Sequence, residues 1–203
     1  MQQKKTRLIS LSWPIYIELL FTMFLGVADT LMLARYSDFS VAAVGNAQRV
    51  IGLFIVILNV ASLGVGVVVA QYLGSGDEQQ AKKAMKTGLF GNVMVAFFLA
   101  LLLQIFGGFI FNIINTEQTI FSESLYYLRV VSTGLLFVAL TQAAGSGFKA
   151  FGRPKVVMYI VAAMNILNVL LNFLLIFGIG FFPELGSRGA AYATLIARTF
   201  AFL

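Results

Sequence analysis

Apolar runs of bilayer-crossing length, one after another, decide what this chain can become. They lie at residues 8–34, 41–72, 84–111, 122–148 and 156–179, and charged residues are sparse in each. An α-helix needs about 20 apolar residues to cross roughly 30 Å of hydrocarbon. Backbone in lipid must satisfy its own N–H and C=O groups, so such runs become helices. The expected fold is all-α: a polytopic transmembrane helical bundle forming a single transmembrane lobe over residues 1–203. A sixth helix is expected to start near Ala190. By Leu203 it has risen only about 21 Å, short of the hydrocarbon core. The chain therefore reads as the front part of a longer membrane protein, with its sixth helix cut short.

Composition narrows the function. Charged residues make up 11% of the chain, against about 25% in soluble domains. The absence of histidine and cysteine removes the commonest proton shuttle, imidazole and thiolate metal ligands, and every Ser-His or Cys-His nucleophile. An enzyme is not expected, and neither is a cofactor. The net charge of +6 does not point to nucleic acid, because the basic residues are scattered between apolar spans. The basic N-terminus precedes a run too long for a signal-peptide core, so that run is read as a retained first span.

The lysines and arginines set orientation instead. Lys4, Lys5, Arg7, Lys82, Lys83, Lys86, Lys149, Arg153 and Lys155 fall on one side, against Arg35, Arg49, Arg129 and Arg188 on the other. The positive-inside rule then puts the N-terminus in the cytoplasm of a cell whose cytoplasmic membrane holds the protein. The Leu73–Lys83 loop carries a Gly-x-Gly, but the lysine spacing and preceding strand of a phosphate cradle are missing. Asp77 and Glu78 read there as the N-cap and acidic first turn of the third helix.

One acid stands out. Asp29 lies inside the first apolar run, where an ionised carboxylate costs roughly 3 kcal/mol even on lenient insertion scales. Glu18 and Thr22 share its helical stripe, and Gly26 is expected to let a neighbouring backbone approach there. In the second run Gly52, Asn59, Ser62 and Gly66 form what looks like a helix-contact line. Asn165, Asn168 and Asn172 are spaced i, i+3, i+7 and share a face of the fifth helix. Asp29 and Asn172 lie about 7 and 10 Å from the outer ends of their helices, at similar height. The asparagines act either as interhelical glue or as the wall of a polar pocket around Asp29. The cost of the acid favours the pocket.

These stretches resemble the multidrug and toxic compound extrusion (MATE) transporters. The likeness runs through SWPIYIELL with Pro14, VADT with Asp29, AAVG, AQYLGSGDEQQAKKA, YLR, GFKAFGRPKVVMY, NILNVLLNFLLIFG and ELGSRGAAYAT. It implies twelve helices in two six-helix lobes, this chain being the N-terminal one and a C-terminal six-helix lobe its partner. It also implies antiport: multidrug efflux of small organic, often cationic, compounds in exchange for H⁺ or Na⁺.

Carried over residue by residue, Asp29 matches the coupling-ion acid, Asn168 its fifth-helix hydrogen-bond partner, and Thr194 a sixth-helix threonine near that site. Asn172 stands where many relatives have aspartate, so the pocket keeps one acid and either ion suits it. Glu18, Thr22, Asn59 and Asn165 are further cavity-lining candidates. No metal ligand set is evident beyond a Na⁺ at Asp29. The fourth-helix proline of relatives is replaced by Leu135 and Leu136, which removes an expected kink. Two other readings stand beside the exporter. A lipid-linked precursor flippase of related architecture would need more cationic residues in its spans than Arg49 and Arg198 supply. The other is a truncated fragment that inserts among membrane lipids without transporting.

Overall fold

The computed structural model describes the backbone of residues 2–202 and the side chains of 12–202. Lys4, Lys5 and Arg7, used above for orientation, have side chains outside the described residues, and so does Leu203. The described residues form seven helices and no strand: α1 (Gln2–Tyr36), α2 (Asp38–Gly74), α3 (Glu78–Ile113), α4 (Gln118–Thr133), α5 (Leu135–Ala150), α6 (Pro154–Phe177) and α7 (Ser187–Phe200). Ser12–Tyr36 of α1, and all of α2, α3 and α6, are long and apolar enough to cross a membrane. The pair α4–α5, bent by 46°, makes a fifth crossing if counted as one span. At 14 residues, α7 is too short to cross by itself.

The bend corrects the expectation that residues 122–148 form one helix without a kink. No proline is needed, because Ser132, Thr133 and Gly134 break the ladder themselves. Each carbonyl freed at the break finds a nearby donor, as burial away from water requires. Arg129 O accepts from Gln104 Nε2 at 2.7 Å and from Ser132 Oγ at 3.0 Å. Val130 O accepts from Thr133 Oγ1 at 2.6 Å, and Val131 O from the Gly134 N–H at 3.0 Å. Gln104, the lone strongly polar residue late in the third run, is thus a brace for the break.

Helix ends follow local chemistry. Asp77 caps α3 by accepting the Gln80 N–H at 2.9 Å, as the sequence indicates. It occupies the helix N-terminus where a phosphate would otherwise sit. Glu78, in that first turn, pairs with Lys82 one turn on at 2.7 Å. Gly178 ends α6 with φ 66°, and an added Cβ there would lie 2.7 Å from the Glu184 nitrogen. Only glycine suits both demands. The chain then folds back, with Leu185 N–H on Leu175 O at 3.0 Å, and delivers α7 against α6.

Packing is close wherever small residues let helices meet, the usual device where lipid offers no hydrophobic drive. Ala43, Ala47, Ala96, Ala139, Ala143 and Ala193 are fully buried. α2 is central and packs on α3, α4 and α5, whereas α1 lies mainly along α6. Large apolar side chains on the outer surfaces of α1, α2 and α3, among them Phe24, Leu53 and Phe98, are exposed where lipid would surround them.

Candidate functional site

A cavity of about 640 Å³ opens inside the bundle, walled by α1, α2, α4, α5, α6 and α7. Every site residue marked in the sequence except Asn172 lines it: Glu18, Thr22, Asp29, Asn59, Asn165, Asn168 and Thr194. Asn172 stands just behind that wall, fully buried, and reaches the acid directly.

Asp29 comes from the second half of α1, where its side chain is half-buried against α6. Asn172 Nδ2 donates to Asp29 Oδ1 at 2.5 Å. Asn168, one turn earlier on α6, has two exclusive amide orientations. In one its oxygen accepts from Asn172 Nδ2 at 3.0 Å. Turned over, its nitrogen donates to Asp29 Oδ1 at 3.1 Å and its oxygen accepts the Thr194 backbone N–H at 3.3 Å. Thr194 thus enters the cluster through its backbone. The carboxylate is held by neutral amide donors, and the Asn172 oxygen is buried without a partner among the described residues. Asn165 is buried and shares the asparagine face, yet neither of its amide atoms is hydrogen-bonded among the described residues. Of the two readings of the asparagines, Asn165 fits the pocket wall and not interhelical glue.

The other end of the α1 stripe differs in kind. Glu18 Oε1 meets Lys149 Nζ at 2.9 Å, about 16 Å along the helix from Asp29. The sequence points to Lys149 as a topology residue in a loop, but it ends α5 and closes an ion pair across the bundle. Spacing gives no sign of that, because the partners are far apart in the chain. Gly26, between the two acids, has no described atom within 4 Å of where a methyl group would stand, and it faces the cavity. It makes room for an occupant instead of a neighbouring helix. The contact line on α2 also divides. Gly52, Asn59 and Ser62 line the cavity, Ser62 while also donating to Asn92 Oδ1 at 3.1 Å, whereas Gly66 abuts Ser146 of α5.

Gln48, Tyr127 and Arg198 also line the cavity without being marked as site members by the sequence. Gln48 Nε2 donates to the Tyr127 hydroxyl at 3.3 Å. Arg198 on α7 enters the same space. The available signal for Arg198 is an arginine inside an apolar helix, a feature that a count of cations registers without placing.

An all-helical bundle with membrane-length helices and a carboxylate–amide cluster in its interior is one lobe of a polytopic membrane protein. The chain belongs to the MatE family: that family's model matches residues 14–174. It is 35% identical over 98% of its length to the uncharacterized transporter YisQ of Bacillus subtilis, of which it covers 44%. It is 31% identical over 96% of its length to a probable multidrug resistance protein NorM of Thermotoga maritima, of which it covers 42%. Among solved structures it superposes on an outward-facing multidrug resistance MATE family transporter of the MOP superfamily with a TM-score of 0.85. The identity there is 23%, covering 97% of this chain and 43% of that one. The chain therefore spans less than half the length of these relatives, and its fold is that of half a MATE transporter.

Proposed function

We propose that this lobe serves an ion-coupled antiporter that exports organic, often cationic, compounds across the cytoplasmic membrane, with its N-terminus in the cytoplasm. Asp29 binds the coupling ion, H⁺ or Na⁺. The observation that carries this reading is the Asp29 carboxylate on a membrane-length helix, facing a cavity and held by Asn172. A charge at such depth is retained where it works on an ion. Asp29 supplies the one negative charge either ion needs. A proton would sit on the carboxylate itself. For Na⁺, the carboxylate and neutral oxygens such as Asn172 Oδ1, which has no partner among the described residues, are the right class of ligand. Binding drives the cycle only if its strength differs between inward- and outward-open states. The naming of a relative as a multidrug resistance protein supports organic substrates.

The test is Asp29→Asn in the full transporter polypeptide that carries this lobe. The exchange preserves shape and hydrogen-bonding capacity but removes the charge. Ion-driven export in inside-out vesicles should be abolished while membrane abundance stays near wild type. Normal export at normal abundance would move the coupling site elsewhere.

A further inference from the structure

Arg198 is the cavity charge that the coupling site leaves unexplained. Its side chain runs past Gly134, where an added Cβ would stand 3.6 Å from Arg198 Cδ. The glycine that bends α4–α5 therefore also clears a path for the guanidinium. Arg198 forms no ion pair among the described residues, and its Nη1 is buried there without a hydrogen-bond partner. The other cation of the cavity, Lys149, is already taken by Glu18 at 2.9 Å. An unanswered N–H on a buried cation is expensive. If Arg198 were interhelical glue, that nitrogen would rest on a backbone carbonyl or a side-chain oxygen. It does neither, and it lies in a cavity wall shared with Gln48, Tyr127 and Thr194.

We propose that Arg198 is an anion-binding site that holds one oxyanion, the carboxylate or phosphate of an amphiphile occupying the cavity. This rests on reading the cavity as the transport path, and it adds to that path a residue that selects for an anionic group. A planar guanidinium fork matches an oxyanion. One fork matches one such group, and a pyrophosphate would leave charge uncovered. With Glu18 and Lys149 paired, the cavity presents Asp29 and Arg198 as a minus and a plus, so an anionic group entering it is drawn to Arg198 and away from Asp29. Where the guest also carries a cationic centre, that end competes with the coupling ion at Asp29 while the anionic end stays on Arg198. Exchange thus remains antagonistic, as antiport requires.

The experiment measures binding to the purified full transporter in detergent, without an ion gradient, by fluorescence polarisation. The probes are a cationic xanthene dye with a free carboxylate and the methyl ester of the same dye. Wild type should bind the carboxylate form about tenfold more tightly, the factor expected of one charge-assisted pair. Arg198→Gln should erase that preference, and Arg198→Lys, which keeps the charge, should retain part of it. Short-chain phosphatidic acid is the second arm. If its affinity depends on Arg198 and the dye preference does not, the oxyanion is a lipid headgroup and the site stands. A wild type that neither separates dye from ester nor binds phosphatidic acid overturns the proposal without any variant having to fold, and a dye preference and phosphatidic acid affinity both unchanged by Arg198→Gln and Arg198→Lys overturn it too. Asp29→Asn is read separately, in ion-driven export, so either idea can fail while the other survives.

Discussion

Gly189→Ala and Gly91→Ala add the same methyl group to two helices and should move stability in opposite directions. At Gly189, in the first turn of α7, the new Cβ would lie 2.6 Å from Leu175 C and closer still to Leu175 O. Those atoms are α6 backbone and cannot swing aside, so α7 must withdraw by about 1 Å to restore ordinary contact. Overpacking of this kind costs about 1–3 kcal/mol. The gain in helix propensity is at most about 1 kcal/mol, which leaves a net loss. At Gly91, exposed in the middle of α3, nothing among the described residues lies within 4 Å of the new methyl. Only the propensity gain of about 0.5–1 kcal/mol remains there. Purified variants of the full transporter would be heated and the folded fraction read by fluorescence-detected gel filtration. Gly189→Ala should melt below wild type and Gly91→Ala at or above it. Because the shift also draws the Thr194 N–H away from Asn168, Gly189→Ala should export less per folded molecule. Equal melting of the two variants would refute the close α6–α7 approach on which the site geometry depends.

Single cysteines at Ser75 and Phe181, both exposed, should be labelled by an impermeant reagent from opposite faces of the membrane; equal labelling in intact cells would overturn the proposed orientation. Ser187, on the same turn as Phe181, is unsuitable because it is buried and donates to Glu123 Oε1. Side-chain exposures of 32% for Lys149 and 15% for Glu18 place that pair between surface and buried limits, so a double-mutant cycle with glutamine at each position should give about 1–3 kcal/mol of coupling. Additive melting shifts would mean the pair contributes nothing. Asn165→Leu removes a buried amide that has no partner among the described residues and should leave stability unchanged or raise it by about 1 kcal/mol, whereas Asn172→Leu strips the donor from Asp29 and should lower it; the same melting assay separates them.

The helices are legible in the sequence because lipid leaves backbone few choices, so hydrophobic length alone marks them. The polar cluster is legible for a related reason: an acid and three asparagines in apolar runs are costly enough to need explaining. What stays hidden depends on neighbours distant in the chain. The α4–α5 break lies in Ser132, Thr133 and Gly134, ordinary residues in a membrane helix until Gln104 is seen bracing the freed carbonyl of Arg129. Asn165 has the same residue type and face as Asn168, and only the position of α1 shows that it reaches no partner among the described residues. Gly26 has the sequence signature of a contact glycine because helix spacing reports which side it is on and not what fills that side. Lys149 and Arg198 register only as charges, since sequence carries no record of which acid a cation meets.

Glu18 and Asp29 sit on one stripe of one helix, yet their surroundings suit them to different work. Glu18 is answered by a cation at 2.9 Å, so the pair is already neutral and a further proton or Na⁺ would have to break it. Asp29 is answered by amide donors, Asn172 at 2.5 Å and the turned-over Asn168 at 3.1 Å, which steady the carboxylate without cancelling its charge. Adding one positive ion there changes the charge at the carboxylate from minus one to zero. In a region of low dielectric that change is worth far more than it would be in water. A coupling site has to alter the energy of its surroundings when it fills, or the ion gradient cannot bias one conformation over another. Of the two acids, the amide-held one meets that requirement, and the ion-paired one instead ties α1 to the end of α5.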